Sequence, residues 1–264
     1  MRLIQLISFA AIAVSLIGLY RPALAGTLPD NGLVDYQLGG GYPPSLNVTI
    51  VVRDSTDQPV PGLFNICYIN GFQTQPGVAW PEELLVRGLD GKPMVDPGWP
   101  DEFLLDISTE KSRRRNLALI KRYIDVCAEK GFDAIEFDNL DSYTRSRGHI
   151  NQADALSFAK LLVDSARERG LPSGQKNAGA LGRMGRDEAG FSFAVAEECD
   201  RWRECETYSN IYGIGQVIDI EYVDNLRNDF TTACAEPNRP EKMILRDKML
   251  VPVGSAGYVL EICE

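Results

Sequence analysis

The sequence contains a single histidine, His149, and no long run of basic residues. A zinc site built from several histidines is therefore excluded, and a Ser-His-Asp triad is disfavoured. His149 lies in a polar stretch, where we expect it to be exposed. The 27 basic residues against 37 acidic ones give a net charge of −10 and a pI of about 4.8. With nothing to neutralise phosphates, neither a nucleic acid nor an anionic membrane is expected as a partner.

The first residues have the pattern of a secretory signal. Arg2 precedes an apolar run over residues 3–20, and residues 23–25 form an A-x-A cleavage site. The run is short for a membrane span and lacks a basic stop-transfer flank, which favours cleavage over a retained anchor. We expect residues 1–25 to be removed and the protein to be secreted. Loss of two arginines and no acid would leave a net charge of −12.

Export makes disulfides the favoured state of the six cysteines. Their number is even and no C-x-x-C pair typical of a metal site is present. Cys199 and Cys205 are close enough in sequence to close a local loop. The other four suit the pairs Cys67–Cys127 and Cys234–Cys263, although the sequence permits other connectivities. Buried, reduced thiols are the alternative.

Residues 26–46 are rich in Gly and Pro and are expected to form an extended lead-in. From residue 47 to residue 264, short apolar runs alternate with helical patterns. Helices are predicted over residues 109–130, 152–169 and 223–235 from apolar positions at helical spacing. Strands are predicted over residues 48–52, 63–69, 103–107, 134–137, 172–176, 191–196, 217–221 and 243–245.

This alternation predicts a parallel sheet, and about eight strands in a chain of this length predict a (β/α)8 barrel of the TIM type. The fold class is therefore α/β, with a single domain over residues 47–264. The loop-rich segment 72–102 is the weakest part of this assignment. A doubly wound open sheet is the alternative, but no G-x-G-x-x-G motif follows an early strand.

Two acidic motifs follow predicted strands at the end where barrel enzymes place their active sites. Asp138 and Asp141 follow the fourth strand in AIEFDNLDSY, and Glu197 and Glu198 follow the sixth in FAVAEECD. Carboxylates would then lie on both sides of one barrel mouth. Cleavage of a glycosidic bond needs such a pair: one acid protonates the leaving oxygen, and the other is the nucleophile or the base for water.

Six segments, taken in order, are similar to the endo-α-1,4-polygalactosaminidases, glycoside hydrolase family 114, in their exported bacterial branch. They are ICYINGFQTQPG (66–77), WPDEFLLDIS (99–108), KGFDAIEFDNLDSY (130–143), GQKNA (174–178), FSFAVAEEC (191–199) and IDIEY (218–222). The resemblance implies a (β/α)8 barrel that needs no cofactor and cleaves α-1,4 linkages in galactosamine-containing polysaccharide. It also implies a catalytic Asp in the D-N-x-D motif and a catalytic Glu in the E-x-C motif.

Carried over by position, the resemblance implies that Asp138 is the nucleophile or base and Glu197 the general acid. Asp141 is further from the strand and is expected to bind substrate. Glu198 competes with Glu197, but strand alternation sends the two to opposite sides. The remaining expected substrate-binding residues are Tyr68, Asp106, Asn139, Tyr143, Lys176, Asn177, Glu221 and Tyr222.

Some of these residues have structural alternatives. Asp106 and Glu221 would serve equally as ion-pair partners of Lys176 or Arg114. Trp99 and Trp202 are candidates for stacking on sugar rings, although Trp99 is equally suited to packing a loop. The acidic surface would attract a cationic amino-sugar polymer, or would simply keep an exported protein soluble.

Two other functions remain open at this stage. One is a carbohydrate-binding barrel that has lost turnover. The other is a metal-dependent hydrolase in which Asp138, Asp141 and Glu197 supply oxygen ligands to Mg²⁺ or Ca²⁺, although the motif lacks the Gly-containing loop of an EF-hand. We expect a monomer that acts without a metal or another cofactor.

Overall fold

Eight parallel strands, each paired with the next in the chain, form a barrel in the computed structural model, which describes residues 28–263. The expected signal segment 1–25 lies outside the described residues. A short β9 pairs antiparallel with β8. The strands are β1 Leu33–Gln37, β2 Val48–Asp54, β3 Phe64–Asn70, β4 Ala134–Asp138, β5 Ser173–Lys176, β6 Phe193–Glu197, β7 Val217–Tyr222, β8 Lys242–Arg246 and β9 Leu260–Ile262. The predicted α/β barrel is confirmed.

One predicted strand is wrong, and another replaces it. Residues 103–107 lie in the long connection after β3, where they form only isolated antiparallel bridges within that connection. The eighth parallel strand is β1, inside the segment expected to be an extended lead-in, so the barrel begins before residue 47. Buried Asp35 and Gln37 alternate with Val34 and Tyr36 in β1. Because the strands are predicted from continuous apolar runs, this alternating segment is not predicted as a strand.

A buried arginine helps to close the barrel between its first and last parallel strands. Arg246, at the end of β8, is fully buried and donates a hydrogen bond to the backbone carbonyl of Tyr36 on β1. Its guanidinium also lies 3.5 Å from the carboxylate of Asp35. Because both charged groups are excluded from water, each depends on the other for compensation.

Two long helices cover the outside of the sheet at α1 Glu110–Lys130 and α2 Gln152–Glu168, close to the predicted bounds. The side chain of Thr109 accepts a hydrogen bond at the start of α1, and Asn151 forms a capping box with Asp154 at the start of α2. Gly131, with φ of 87°, ends α1 in the left-handed conformation that glycine tolerates best.

The remaining helices are short: α3 Cys199–Trp202, α4 Cys205–Tyr212 and α5 Phe230–Cys234. The helix predicted over residues 223–235 is confirmed only over α5, because the side chain of Asp229 accepts a hydrogen bond from Thr232 and starts the helix there. Within residues 28–263, no helix has both the length and the apolar character needed to cross a bilayer.

All three expected disulfides are present. Cys67–Cys127 joins β3 to α1, Cys199–Cys205 joins α3 to α4, and Cys234–Cys263 joins α5 to the chain after β9. The apolar core has an inner layer within the barrel, which includes Ile50 and Ile220, and a larger outer layer between the sheet and the two long helices. The barrel mouth is thereby held as a rigid frame.

Candidate active site

Three charged residues are the last residues of neighbouring strands and meet at the barrel mouth. Asp138 ends β4, Lys176 ends β5 and Glu197 ends β6. The carboxyl ends of parallel strands lie at the same edge of a sheet, so the three side chains converge. They line a cleft of about 550 Å³.

The Lys176 ammonium lies between the two carboxylates. Its Nζ is 3.6 Å from Oδ2 of Asp138 and also 3.6 Å from Oε2 of Glu197. Those two oxygens therefore can be no further apart than twice that distance. Carboxyl pairs that cleave glycosidic bonds are separated by about 5–9.5 Å, and this arrangement keeps Asp138 and Glu197 below the upper end of that range.

A third carboxylate also contacts Lys176, at 2.9 Å. Glu136, on the same face of β4 as Asp138, is fully buried and accepts hydrogen bonds from Lys176 at 2.9 Å and from the hydroxyl of Tyr36 at 2.7 Å. Burial would lower the pKa of Lys176, but the neighbouring carboxylates raise it well above its usual value. Burial raises the pKa of Glu136, and the ammonium opposes this effect. Lys176 is thus a fixed positive charge beneath the cleft.

Two donors fix the orientation of Asp138. The Tyr68 hydroxyl donates to Oδ2 at 2.8 Å, and the backbone N–H of Asn139 donates to Oδ1 at 2.6 Å. Asn139 has a φ of 63°, so the chain turns sharply as soon as β4 ends. The Asp138 side chain keeps 18% of its surface exposed, which leaves it open to the cleft.

Glu197 is held more tightly. Tyr222 donates a hydrogen bond to Oε1 at 2.5 Å and the Asn177 amide donates to Oε2 at 3.0 Å. Burial alone would raise the pKa of Glu197, but Lys176, Tyr222, Lys248 and Asn177 lower it to about 2. Glu197 is therefore ionised at neutral pH in the free protein, with 26% of its side chain exposed.

The chain turns immediately after Glu197, which separates it from Glu198. Glu198 has a φ of 61°, and its carboxylate accepts a hydrogen bond from the Asn225 amide at 2.7 Å. Glu197 lines the cleft and Glu198 does not. Of the two adjacent acids, only Glu197 faces Asp138.

Seven of the eleven residues expected in the site line one cleft. They are Tyr68, Asp138, Asn139, Lys176, Asn177, Glu197 and Tyr222. Asp141 lies behind this group and pairs with Arg145, whose Nη1 is 2.9 Å away. Arg145 itself lines the cleft, so Asp141 acts on the site through another side chain.

The structure places three of the expected residues elsewhere. Asp106 accepts hydrogen bonds from the backbone N–H and the hydroxyl of Ser108, and it pairs with neither Lys176 nor Arg114. Tyr143 packs against the outer apolar layer. Glu221 points away from the barrel interior, because it precedes Tyr222 on β7 and neighbouring strand residues face opposite sides.

The two tryptophans considered for sugar stacking differ in position. Trp99 is half exposed and lines the cleft. Trp202 does not line the cleft, and its ring instead lies 5.3 Å from the guanidinium of Arg201. The expected exposure of His149 is confirmed.

Sequence reasoning missed the acidic wall supplied by the long connection between β3 and α1. Asp96 and Glu102 line the cleft there, on a segment that the sequence marked only as loop-rich. Burial raises the pKa of Glu102 to about 7; the Asn70 amide, 2.8 Å away, opposes this rise, whereas Asp138 and Asp96 add to it. No short sequence motif marks Asp96, whereas Glu102 lies within WPDEFLLDIS (99–108), one of the six segments that carry the family resemblance, and could have been considered there. Glu136 did carry a signal, since it is a lone acid two residues before Asp138 in an apolar strand.

The family comparison covers nearly the whole chain. The sequence model described as glycoside-hydrolase family GH114 matches residues 21–264. The chain belongs to glycoside-hydrolase family GH114. This membership confirms the family indicated by the six sequence segments and makes the protein a glycoside hydrolase. A search of curated proteins returns no match.

Two solved structures are similar to this GH114 chain. The crystal structure of Aspergillus fumigatus Ega3 in complex with galactosamine aligns with a TM-score of 0.70 at 24% identity, over 89% of this chain and 96% of Ega3. The glycoside hydrolase domain of PelA from Pseudomonas aeruginosa aligns with a TM-score of 0.58 at 15% identity, over 85% of this chain and 98% of that domain. At these identities, the likeness establishes a shared fold.

A metal centre formed by Asp138, Asp141 and Glu197 does not suit the geometry of this GH114 site. The Lys176 ammonium lies between two of these carboxylates, and Arg145 pairs with the third. One oxygen of each of these three carboxylates already lies close to a protein cation. The charges therefore favour two-carboxylate chemistry over a metal held by these three residues.

Proposed function

We propose that this protein is an exported, endo-acting glycoside hydrolase that cleaves α-1,4 linkages in galactosamine-containing polysaccharide. The observation that carries the proposal is the pair Asp138 and Glu197, both 3.6 Å from Lys176 Nζ in one open cleft. The structure of Ega3 with galactosamine supports the choice of sugar. The three disulfides and the signal-like N-terminal sequence support export.

Glu197 would act as the general acid. It gives a proton to the glycosidic oxygen as the bond from that oxygen to the anomeric carbon breaks. In the free protein Glu197 is ionised, so it must first take up a proton. A saccharide that enters the cleft displaces water from Glu197, and this loss of hydration raises the pKa of a carboxyl group.

Asp138 would act on the opposite side of the sugar. It either attacks the anomeric carbon or removes a proton from the water that attacks. The hydrogen bonds from Tyr68 and Asn139 hold its carboxylate in one orientation and restrict the motion that would misplace it. Lys176 keeps two carboxylates in close approach without strong mutual repulsion.

The walls of the cleft suit a cationic sugar polymer. Five carboxylates line it against three cationic side chains, from Arg145, Lys176 and Lys248, and Asp96 is paired with Arg145. The remaining excess of negative charge would attract ammonium groups. Trp99 and Met249 supply exposed apolar surface at the rim for the faces of sugar rings. We infer that the substrate is a polymer with free amino groups, bound by a monomer without a cofactor.

The test is the release of reducing ends from de-N-acetylated galactosaminan, with and without EDTA. The proposal predicts release that EDTA does not stop, with oligosaccharides as the first products. Asp138→Asn and Glu197→Gln should each reduce release to a small residual rate and keep the wild-type fold, whereas the matched control Glu198→Gln should release reducing ends at the wild-type rate. Binding of the polymer without release would favour the non-catalytic barrel instead.

A further inference from the structure

Two acidic side chains outside the cleft hold the chain segment that follows Glu197. The backbone N–H of Cys199 donates to Oδ1 of Asp219 at 3.1 Å, and the N–H of Asp200 donates to Oε1 of Glu221 at 2.9 Å. Both acids lie on β7, next to the strand that carries Glu197. Both are fully buried, on the outer side of the barrel wall.

The two carboxyl groups also interact with each other. They lie two residues apart on one face of β7 and each shifts the pKa of the other, while one buried oxygen of each, Oδ2 of Asp219 and Oε2 of Glu221, has no hydrogen-bond partner. Two buried carboxylates this close cannot both be ionised at low cost. A proton shared between them would satisfy the two oxygens that lack a partner.

The surroundings of the pair contain little positive charge to compensate it. The Asp200 carboxylate and the backbone N–H of Arg201 face the pair from α3, and Tyr208 faces it from α4. Arg227 lies nearby, but its guanidinium pairs with Asp200 at 2.5 Å. The cross-strand neighbours on the same side are apolar: Ala196 on β6, and Met243 and Leu245 on β8.

Burial and the neighbouring acids both raise the pKa of Asp219, which lies well above its usual value. Burial raises the pKa of Glu221 to about 7. Because these pKa values are raised in the folded state, the protonated pair contributes its full stability at acidic pH. That contribution is lost as the pH rises through the folded-state pKa. Deprotonation would place two negative charges in contact behind the turn that follows Glu197.

We propose that Asp219 and Glu221 are positioning residues for Glu197: a proton-sharing carboxyl pair that holds the turn after β6 and thereby fixes the Glu197 side chain in the cleft. The inference builds on the proposed function, because it assigns the pair to the same reaction. The pair itself does not touch the substrate.

Removal of one acceptor should loosen the turn. Glu221→Ala should lower kcat on galactosaminan by about 10- to 100-fold, the scale of a misplaced catalytic group, with KM within about twofold of wild type. Glu221→Gln keeps an acceptor for Asp200 and donates to Asp219 at every pH. It should restore most of the lost kcat and extend the alkaline limb of the rate profile to higher pH.

A second measurement does not depend on activity. Amide exchange of residues 198–201, followed by NMR and corrected for intrinsic rates, should show protection that falls above about pH 7 in wild type. This fall should be absent in Glu221→Gln. Ile124→Ala, in the buried face of α1, is the control for general destabilisation: it should lower Tm but leave the alkaline limb and this exchange pattern unchanged.

The outcomes separate the two proposals. The positioning role is overturned if two results are found together. Glu221→Ala would match Ile124→Ala in its rate profile and in amide exchange, and Glu221→Gln would keep the alkaline limb and the amide exchange of wild type. If wild type cleaves no galactosamine polymer, the proposed function fails, and amide exchange alone decides the role of the pair. In that case, loss of amide protection at residues 198–201 in Glu221→Ala supports the positioning role of the pair, and unchanged protection overturns it.

Discussion

Replacement of Lys176 by methionine should destabilise the protein in a strongly pH-dependent way. The ammonium is 2.9 Å from Glu136 and 3.6 Å from both Asp138 and Glu197, and it is almost fully buried. Methionine fills a similar volume but leaves the buried Glu136 without its cation. Breaking a buried ion pair from one side costs about 3–5 kcal/mol. In a chain of this size, that loss lowers Tm by on the order of 10 °C.

The direction of the pH effect follows from Glu136. Its pKa is already raised by burial, and loss of Lys176 would raise it further. A carboxyl group with a raised folded-state pKa favours folding below its unfolded value of about 4.3, and that contribution is lost as the pH rises through the folded value. The deficit of Lys176→Met should therefore be small near pH 4.5 and large near pH 7.5.

Thermal unfolding followed by circular dichroism at the two pH values tests this prediction. Lys248→Met is the matched control, because Lys248 also lines the cleft but is exposed, with its ammonium 4.0 Å from the Tyr222 ring centroid. It should lower Tm by little at either pH. An equal loss of Tm at pH 4.5 and pH 7.5 in Lys176→Met would show that Lys176 contributes packing rather than charge balance.

Three further predictions concern other parts of the molecule. Glu102→Gln should gain stability relative to wild type as the pH rises through about 7, because it removes a carboxyl whose raised pKa makes ionisation unfavourable in the fold; an unchanged Tm difference between pH 5 and pH 8 would contradict this. Tyr222→Phe removes the hydroxyl that donates to Glu197 at 2.5 Å and lowers its pKa, so the pKa of this general acid should rise and the alkaline limb of the rate profile should move to higher pH; an unmoved limb would refute that link. Replacement of Cys67 and Cys127 by serine opens a 60-residue loop and should cost about 4 kcal/mol in denaturant unfolding, against about 2 kcal/mol for the 6-residue loop of Cys199 and Cys205; equal costs would contradict the loop-length argument.

The edge of the barrel that carries the candidate site could be predicted because its residues follow clear strand patterns. Asp138 and Glu197 each end an apolar run, and parallel strands bring such ends together regardless of their separation in sequence. Strand alternation also predicted that Glu197 and Glu198 face different sides, and in the structure the turn at Glu198 produces that separation. The same rule, applied to β7, would have directed Glu221 away from the cleft and Tyr222 towards it.

Other parts of the site could not be predicted from local patterns. Asp96 and Glu102 reach the cleft through a long connection whose path is set by isolated bridges and loop packing. Strand β1 does alternate apolar with polar residues, a pattern of strands that a search for apolar runs misses. Its buried Asp35, however, finds its partner, Arg246, 211 positions later in the chain. Such long-range polar contacts leave no periodic signal, because each depends on the folded barrel to bring its partners together.

A double-substitution kinetic cycle on Asp138 and Glu197 tests the central claim most directly. Initial rates of reducing-end release are compared for Asp138→Asn, Glu197→Gln, the double variant and wild type. If the two carboxylates act together on one bond, the double variant should be little slower than the slower single variant. Losses that multiply in the double variant would show that the two residues act independently, and would contradict a shared catalytic cleft.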